Sequence, residues 1–339
     1  MGGGRPVPDK TEPPSSAPID QIRTMAFLPM GLCAALELEI FTVLSSGPMS
    51  AEQIASEIGV KPRRLKMLLL PLVVGEYLEL DNQTFSNAAI SDYYLVKGKP
   101  NYLGGAHEVW RTTWSMLMQT AESIRTDTPQ AKIDFGAMSK DELGAFLRGL
   151  HGTSAAAGCQ LAENPVFASA NSIVDVGGGS GGVCVGLCQA HSHLRSTVAD
   201  FPSVLEVAAD MIGEAGLESR IDTESANIVE GPTSRQHDVA IARALFQTMS
   251  VEHCRLAAHN IGASLVSGGT LLILGNICDD TLLSPLQAVL QNVAFINAYE
   301  NGQGYAEQQY RGWLEEAGFV DITREPPLGG VCMMSARKV

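Results

Sequence analysis

Basic charge is what this 339-residue chain has least of: 23 Lys and Arg stand against 37 Asp and Glu, a formal net charge of −14. A nucleic-acid groove draws on clustered Lys and Arg, so the balance argues against such a partner. Also missing is any paired-cysteine or metal-ligand spacing. The seven cysteines are odd in number and the seven histidines form no HxxxH pattern. That predicts reduced thiols, a cytoplasmic setting and no metal site. No apolar run is long enough for a membrane span, since the strongest early one, Met25 to Leu44, is broken by Pro29, Glu37 and Glu39. The first eighteen residues lack the apolar stretch of a leader and read as a disordered tail rich in Gly, Pro and Ser. No internal repeat is visible. What remains is an acidic globular chain whose length suggests two domains.

From Ile19 apolar residues recur at helical spacing through Leu28, Leu32, Leu36 and Ile40, stopping at Ser45-Ser-Gly-Pro48. Ser50-Ala-Glu-Gln53 reads as a capping box, and Pro62 opens a third helix carrying Leu65, Leu68, Leu69 and Leu72. Tyr77–Leu80 and Thr84-Phe85 around Asp81-Asn82 predict a hairpin. Residues 19–100 are therefore expected to form a mostly helical winged-helix domain. Arg63, Arg64 and Lys66 on its third helix could meet phosphates. Without a basic wing, a solvated face beside a dimer core is the better reading. Residues 101–165 should be a helical linker and substrate wall, with Trp110, Trp114, Met116 and Phe146 among its large apolar groups.

Residues 166–339 alternate strand and helix, which predicts a mostly parallel, doubly wound α/β sheet of the Rossmann-like kind. Its centre is Ile173-Val-Asp-Val-Gly-Gly-Gly-Ser-Gly-Gly182, a strand, a tight glycine turn and a helix start. Such a turn needs residues tolerant of positive φ, and ligands approach backbone most closely where no Cβ intervenes. Cys184 and Cys188, four apart on the following helix, read as core. Asp200, just past the next strand, is placed to bind ribose hydroxyls or to cap the helix that Pro202 opens, and both can be true.

The loop formally contains a dinucleotide G-x-G-x-x-G at 177, 179 and 182, but its form is Asp175-x-Gly177-x-Gly179-x-Gly181. That form resembles the S-adenosylmethionine loop of class I methyltransferases. From about residue 19 the chain is similar to small-molecule O-methyltransferases with an N-terminal winged-helix dimerisation domain, the caffeic-acid and hydroxyindole type. Val198-Ala-Asp-Phe-Pro202 is similar to the family's V-F-D-L-P, and Gly216-Leu-Glu-Ser-Arg220 to its G-L-x-x-R. Leu265–Leu274 is similar to its G-G-x-L-L-I strand, and Trp313–Phe319 to its L-x-x-A-G-F segment. The resemblance implies a homodimer that binds S-adenosyl-L-methionine and a small, largely apolar acceptor. In the cofactor site Asp200 would hold the ribose, Phe201 would stack on the adenine, and Asn227 beside Ile228 would meet the adenine amine. Arg243 would supply a basic group, Asp175 would orient the loop, and Gly177, Gly179 and Gly181 would leave room for the cofactor.

The departure is at the catalytic segment. The family reads R-x-L-H-D-W, with the His as base; here Arg243-Ala-Leu-Phe-Gln-Thr248 puts Phe246 at the His and Gln247 at the Asp. Neither side chain is a base at neutral pH. His253 is about two helical turns, roughly 10 Å, further on. Three readings follow. His151, on a helix that lines the site in this family, supplies the base or else has a structural role. Alternatively, an acidic phenol, amine or carbon acceptor needs no strong base and reacts by alignment. Or the cofactor is kept without methylation, as in relatives that hydroxylate, decarboxylate or run pericyclic reactions. A winged-helix regulator sensing the cofactor is a further alternative. Leu286–Tyr299 is expected to face the pocket with Asn292, Phe295 and Asn297, and Gly302–Tyr305 to close over it or simply to turn.

Overall fold

The computed structural model describes residues 14–135 and 137–339. Most of the expected tail lies outside the described residues; the chain is helical from Ala17, two residues before the periodicity predicts. Two compact units follow, one ending at Gly104 and the other running from Gly105 to Val339.

The first unit begins with α1 (Ala17–Met25), α2 (Phe27–Glu37) and α3 (Ile40–Val43), then a short strand β1 (Met49–Ser50). Next come α4 (Ala51–Glu57), α5 (Pro62–Val74), the hairpin β2 (Leu78–Asp81) and β3 (Thr84–Asn87), and α6 (Ala89–Tyr94). The capping box is formed: Gln53 N–H donates to Ser50 Oγ at 3.3 Å, and Ser50 N–H donates to Gln53 Oε1 at 2.8 Å. Such a cap is worth about 1 kcal/mol. Leu65, Leu69 and Leu72 turn one face of α5 inward, and Leu36, Ile54 and Phe85 are buried in the same unit. The hairpin gains a third strand, in the order β1-β3-β2. Arg63, Arg64 and Lys66 are exposed, and the wing carries Glu79 and Asp81. Ile22, Met25, Phe27, Met67 and Val74 leave a large apolar surface uncovered on α1, α2 and α5, Val74 being 85% exposed.

The second unit opens with α7 (His107–Leu117), α8 (Thr120–Thr126), α9 (Lys140–Leu161) and α10 (Val166–Ser169). The stretch expected to be helical throughout is interrupted after Thr126, where Asp127 takes a left-handed φ of 52°. Then come β4 (Ser172–Val176), α11 (Gly182–Ala190), β5 (Arg195–Asp200), α12 (Pro202–Glu214), β6 (Ile221–Ser225) and β7 (His237–Arg243). The chain continues through α13 (Val251–Ala263), β8 (Leu265–Gly275), β9 (Ile277–Cys278) and α14 (Leu286–Ala298). It ends with β10 (Tyr305–Ala306), α15 (Glu307–Glu316), β11 (Phe319–Leu328) and β12 (Val331–Lys338).

Seven strands form one sheet in the order β11-β12-β8-β7-β4-β5-β6. The strands from β4 to β8 pair in parallel, and the terminal hairpin joins antiparallel through β12 to β8. β6, which its alternating polar residues hid from the sequence reading, is the far edge. Side chains alternate between two apolar layers, Val174 and Ala240 in one and Ile173 and Ile241 in the other. Cys184 and Cys188 are wholly buried in the second layer, as expected. α9 and α11 pack backbone to backbone there: a Cβ on Gly186 would lie 2.3 Å from Ala155 O, and one on Gly158 would lie 2.3 Å from Val183 O. From β4 the chain runs outward first to β5 and β6, then returns to β7 and β8. The switch between β4 and β7 opens a crevice at their carboxyl ends, where ligands of such sheets bind.

Candidate active site

The loop leaving β4 carries the expected glycines in strained conformations, with φ of 68° at Gly177, 56° at Gly179 and 71° at Gly181. Gly178 needs glycine for another reason: a Cβ there would sit 2.9 Å from Val198 Cγ1 and 3.0 Å from Asp175 Cγ. Asp200 ties the loop to β5, its Oδ2 accepting from Gly179 N–H at 2.9 Å and its Oδ1 from Phe201 N–H at 2.7 Å. It gives α12 no side-chain cap beyond that. Burial holds the Asp200 carboxyl above its ordinary range, against the lowering effect of these two N–H groups. Phe201 is 45% exposed beside it.

Asp175, at the end of β4, is 1% exposed, and neither carboxylate oxygen has a hydrogen-bond partner. Burial pushes its pKa up to about 7, although the nearby Arg243 guanidinium opposes the shift. Buried carboxylates without partners are expensive to keep, so this one is poised for a positively charged or hydrogen-bonding ligand. Arg243, at the end of β7, donates from Nη1 to Ser154 Oγ on α9 at 3.2 Å.

His151 stands against the loop. Its Nδ1 is 3.1 Å from Ser180 Oγ, and burial lowers its pKa. Asn227 uses its side chain locally, donating to Glu230 Oε1 at 2.8 Å and accepting from Val229 N–H at 3.2 Å. Ile228 is buried in the first apolar layer.

On the other side of Arg243 lies a cavity of about 150 Å³. The ends of β7 and β8 supply Ala244, Gln247, Gly275 and Asn276; α14 supplies Gln287 and Gln291; the turn into β12 supplies Cys332. Ala244 leaves β7 with a left-handed φ of 54°, a strain that residues other than glycine hold mainly at functional turns. The short 3-10 turn that follows decides which side chain the cavity receives. Phe246 points into the core, stacked on Trp313 at 6.2 Å and edge-on to Tyr310 at 5.6 Å. Gln247, 5% exposed, lines the cavity. Its Oε1 passes so close to the strand that a Cβ on Gly275 would be 2.6 Å away.

Most of the residues expected at the acceptor lie outside the lining of this cavity. Phe246 belongs to the apolar layer, because the turn aims it at Trp313. His151 does not line the cavity; it braces the glycine loop. Asn292 Oδ1 accepts from Gly304 N–H at 2.7 Å and so fastens the loop expected to close the site. That loop is further held by Tyr305, whose hydroxyl donates to Met249 O at 2.5 Å. Phe295 packs on Tyr299 with centroids 5.6 Å apart, and Trp110 is half-buried on α7; neither lines the cavity. Asn297 is fully buried and bonds to Ser123 and Thr120, pinning α8. The sequence reading missed Asn276, Gln287 and Gln291. One signal was available: Gln287 and Gln291 are four apart on a helix that is apolar but for them, Asn292 and Asn297. A larger concavity of about 410 Å³, lined by Ile212, Ile221, Asp222 and Arg235, lies at the β6 edge and includes no residue of the loop.

The fold and the glycine cradle with its two carboxylates at the switch point define a nucleotide-binding protein of the doubly wound α/β class, with a small cavity beside the cradle. Comparisons sharpen the class. Residues 128–320 match the O-methyltransferase domain and residues 21–97 the O-methyltransferase dimerisation domain. The chain is 31% identical to 3-hydroxy-5-methyl-1-naphthoate 3-O-methyltransferase of Streptomyces sahachiroi, covering 86% of each chain. It is 25% identical to the tetracenomycin polyketide synthesis 8-O-methyl transferase TcmO of Streptomyces glaucescens, over 93% of this chain and 95% of that one. Human N-acetylserotonin methyltransferase, solved in complex with S-adenosylmethionine, shares the fold at 19% identity and a TM-score of 0.81, over 97% of this chain and 99% of that one. The chain belongs to the S-adenosylmethionine-dependent O-methyltransferase family and carries that family's dimerisation domain.

The residues present fit this cofactor. Asp175 offers an unpartnered carboxylate to a ligand with positive charge, and the glycines leave a surface without Cβ atoms. No cluster of three or more metal-ligating side chains occurs among the described residues. Among them, too, no single helix is long and apolar enough to cross a membrane.

Proposed function

We propose that this protein methylates an oxygen of a small aromatic acceptor whose hydroxyl ionises without help from a protein base. The observation that carries the reading is Gln247, an amide where the cavity wall meets Arg243. An amide accepts and donates hydrogen bonds but takes no proton at neutral pH. When bound, S-adenosylmethionine would supply an electrophilic methyl to the acceptor oxygen, with the C–S electron pair staying on the departing S-adenosylhomocysteine. The chain's own part is alignment, which alone can supply much of a transfer barrier. Asp175 would offset the cofactor's positive charge, Asp200 would hold the ribose beside Phe201, and Arg243 would stand between the two ligands. His151 is a positioning residue, holding the loop through Ser180.

The named substrates of the two Streptomyces relatives, a hydroxynaphthoate and a polyketide, support an oxygenated aromatic acceptor. The amide-lined cavity argues for a more polar acceptor than the apolar one first expected. A non-methylating reaction on the same scaffold is the second reading, favoured by the same lack of a base among the cavity-lining residues. The uncovered apolar surface of α1, α2 and α5 supports a homodimer, the free cysteines support a cytoplasmic location, and the acidic charge argues against a DNA-binding regulator. The test is incubation with methyl-labelled S-adenosylmethionine and a panel of hydroxylated aromatics. Labelled ether and S-adenosylhomocysteine in equal amounts are expected. Conversion of an acceptor with the cofactor unconsumed would select the second reading instead.

A further inference from the structure

The cavity wall holds more unused hydrogen-bonding capacity than a general aromatic site needs. Four primary amides line it: Gln247, Asn276, Gln287 and Gln291. Among the described residues none of these side chains makes a hydrogen bond within the protein. For Gln287, which is exposed, that is ordinary. Gln247 is 5% exposed, yet neither of its amide atoms is sealed from the cavity, so both are open to a ligand there. Gly275 leaves room for this group where it stands, since a Cβ there would lie 2.6 Å from its Oε1 and turn the amide end aside. Arg243 is the one charged residue of the lining, and Asp175 lies close enough to offset part of its charge.

We infer that the cavity recognises a ring hydroxyl conjugated with a ring carbonyl, a vinylogous acid such as a hydroxyquinone. This deepens the methyl-transfer reading and rests on it. Such a hydroxyl releases its proton to solvent near neutral pH, so the missing base is no obstacle. Its negative charge is then shared between two separated oxygens, and amide N–H groups on facing walls can bond both. A simple phenol offers one oxygen and stays protonated. A carboxylate concentrates its charge on one carbon's two oxygens and asks for a bidentate cation free to turn to it, whereas Arg243 already donates to Ser154 and faces Asp175. The cavity is smaller than the roughly 300–1,000 Å³ of drug-sized sites, so it takes the reacting ring and leaves the remainder of a larger acceptor outside.

The test is equilibrium binding at pH 7 to the full-length protein loaded with S-adenosylhomocysteine, using 2-hydroxy-1,4-naphthoquinone, 2-naphthol and 2-naphthoate. The hydroxyquinone is expected to bind at least about tenfold more tightly than either of the others. Gln247→Leu and Gln291→Leu should each weaken it about three- to tenfold and leave 2-naphthol within about twofold. Gln247→Glu keeps the volume and adds a negative charge, so it should weaken the hydroxyquinone more than Gln247→Leu does. Equal or tighter binding of 2-naphthol or 2-naphthoate would overturn the inference. So would unchanged hydroxyquinone binding in all three variants while S-adenosylhomocysteine still binds. If the wild-type protein fails to bind S-adenosylhomocysteine, the methyl-transfer reading itself fails, a result seen in the loading step before any acceptor is added.

Discussion

The two halves of the crevice are built from different chemistry. On the β4–β5 side, the buried Asp175, the half-buried Asp200 and a left-handed glycine loop present carboxylates and bare backbone. On the β7–β8 side, amides and one shared guanidinium present neutral, adaptable polarity. The first half suits one ligand of constant shape and positive charge. The second suits acceptors that bring their own ionisation. The contrast implies that cofactor binding should respond to pH through Asp175, whereas turnover should respond to the acidity of the acceptor.

The most severe way to break the comparison is to wedge apart α9 and α11, the helix pair that backs the glycine loop. Gly186→Val puts side-chain atoms where Ala155 O and the α9 backbone already lie. A thermal or denaturant melt should show destabilisation of more than about 3 kcal/mol. Phe246→His tests the direction of the 3-10 turn: an imidazole wedged against Trp313 and Tyr310 should cost on the order of 2–4 kcal/mol and confer no new activity. Gln247→His puts the same ring into the cavity and should raise turnover of weakly acidic phenols at least about tenfold, within the range general-base catalysis supplies. If Phe246→His gained activity and Gln247→His did not, the assignment of the two faces would be reversed.

Asp175→Asn probes the cofactor half. The folded-state pKa of Asp175, about 7, lies above the 3.8 of a free carboxyl. The stability of the ligand-free protein therefore contains a contribution that is complete below pH 3.8 and is lost as pH rises through about 7. Asp175→Asn should melt higher than wild type at pH 8, by up to about 4 kcal/mol, with the difference shrinking to on the order of 1–2 kcal/mol at pH 5 and closing near pH 4. Its affinity for S-adenosylmethionine should fall, and the rise in wild-type affinity between pH 6 and 8 should disappear. His151→Ala should have the smallest effect. Calorimetry should show cofactor binding weakened about two- to tenfold through the lost Ser180 contact, while the acceptor dependence of turnover keeps its shape.

How much was legible in the sequence follows the same division. The cofactor half is local: Asp175 to Gly182 is one strand, turn and helix start, and Asp200 ends the very next strand. Residue types and spacing suffice there because the geometry is made by consecutive backbone. The acceptor half is assembled from the ends of β7 and β8, one face of α14 and the turn into β12. Its side chains meet only through the sheet order, which no single stretch encodes. The exchange of Phe246 for Gln247 shows the limit. A one-residue step in a tight turn swaps core for cavity, and only the packing of Trp313 decides which side chain goes in. Asn292 and Asn297 show the same limit: their amides bond to the loop and to α8, partners that neighbours in sequence do not foretell.

The central claim is that methyl transfer here draws its proton removal from the acceptor, not from the protein. The direct measurement is kcat/KM against pH for a series of hydroxyaromatics of graded acidity, in wild type and His151→Ala. Profiles whose midpoints move with each acceptor's own pKa, and that His151→Ala leaves in place, are the predicted result. A single midpoint common to every acceptor, lost together with activity in His151→Ala, would contradict the account and restore a protein base.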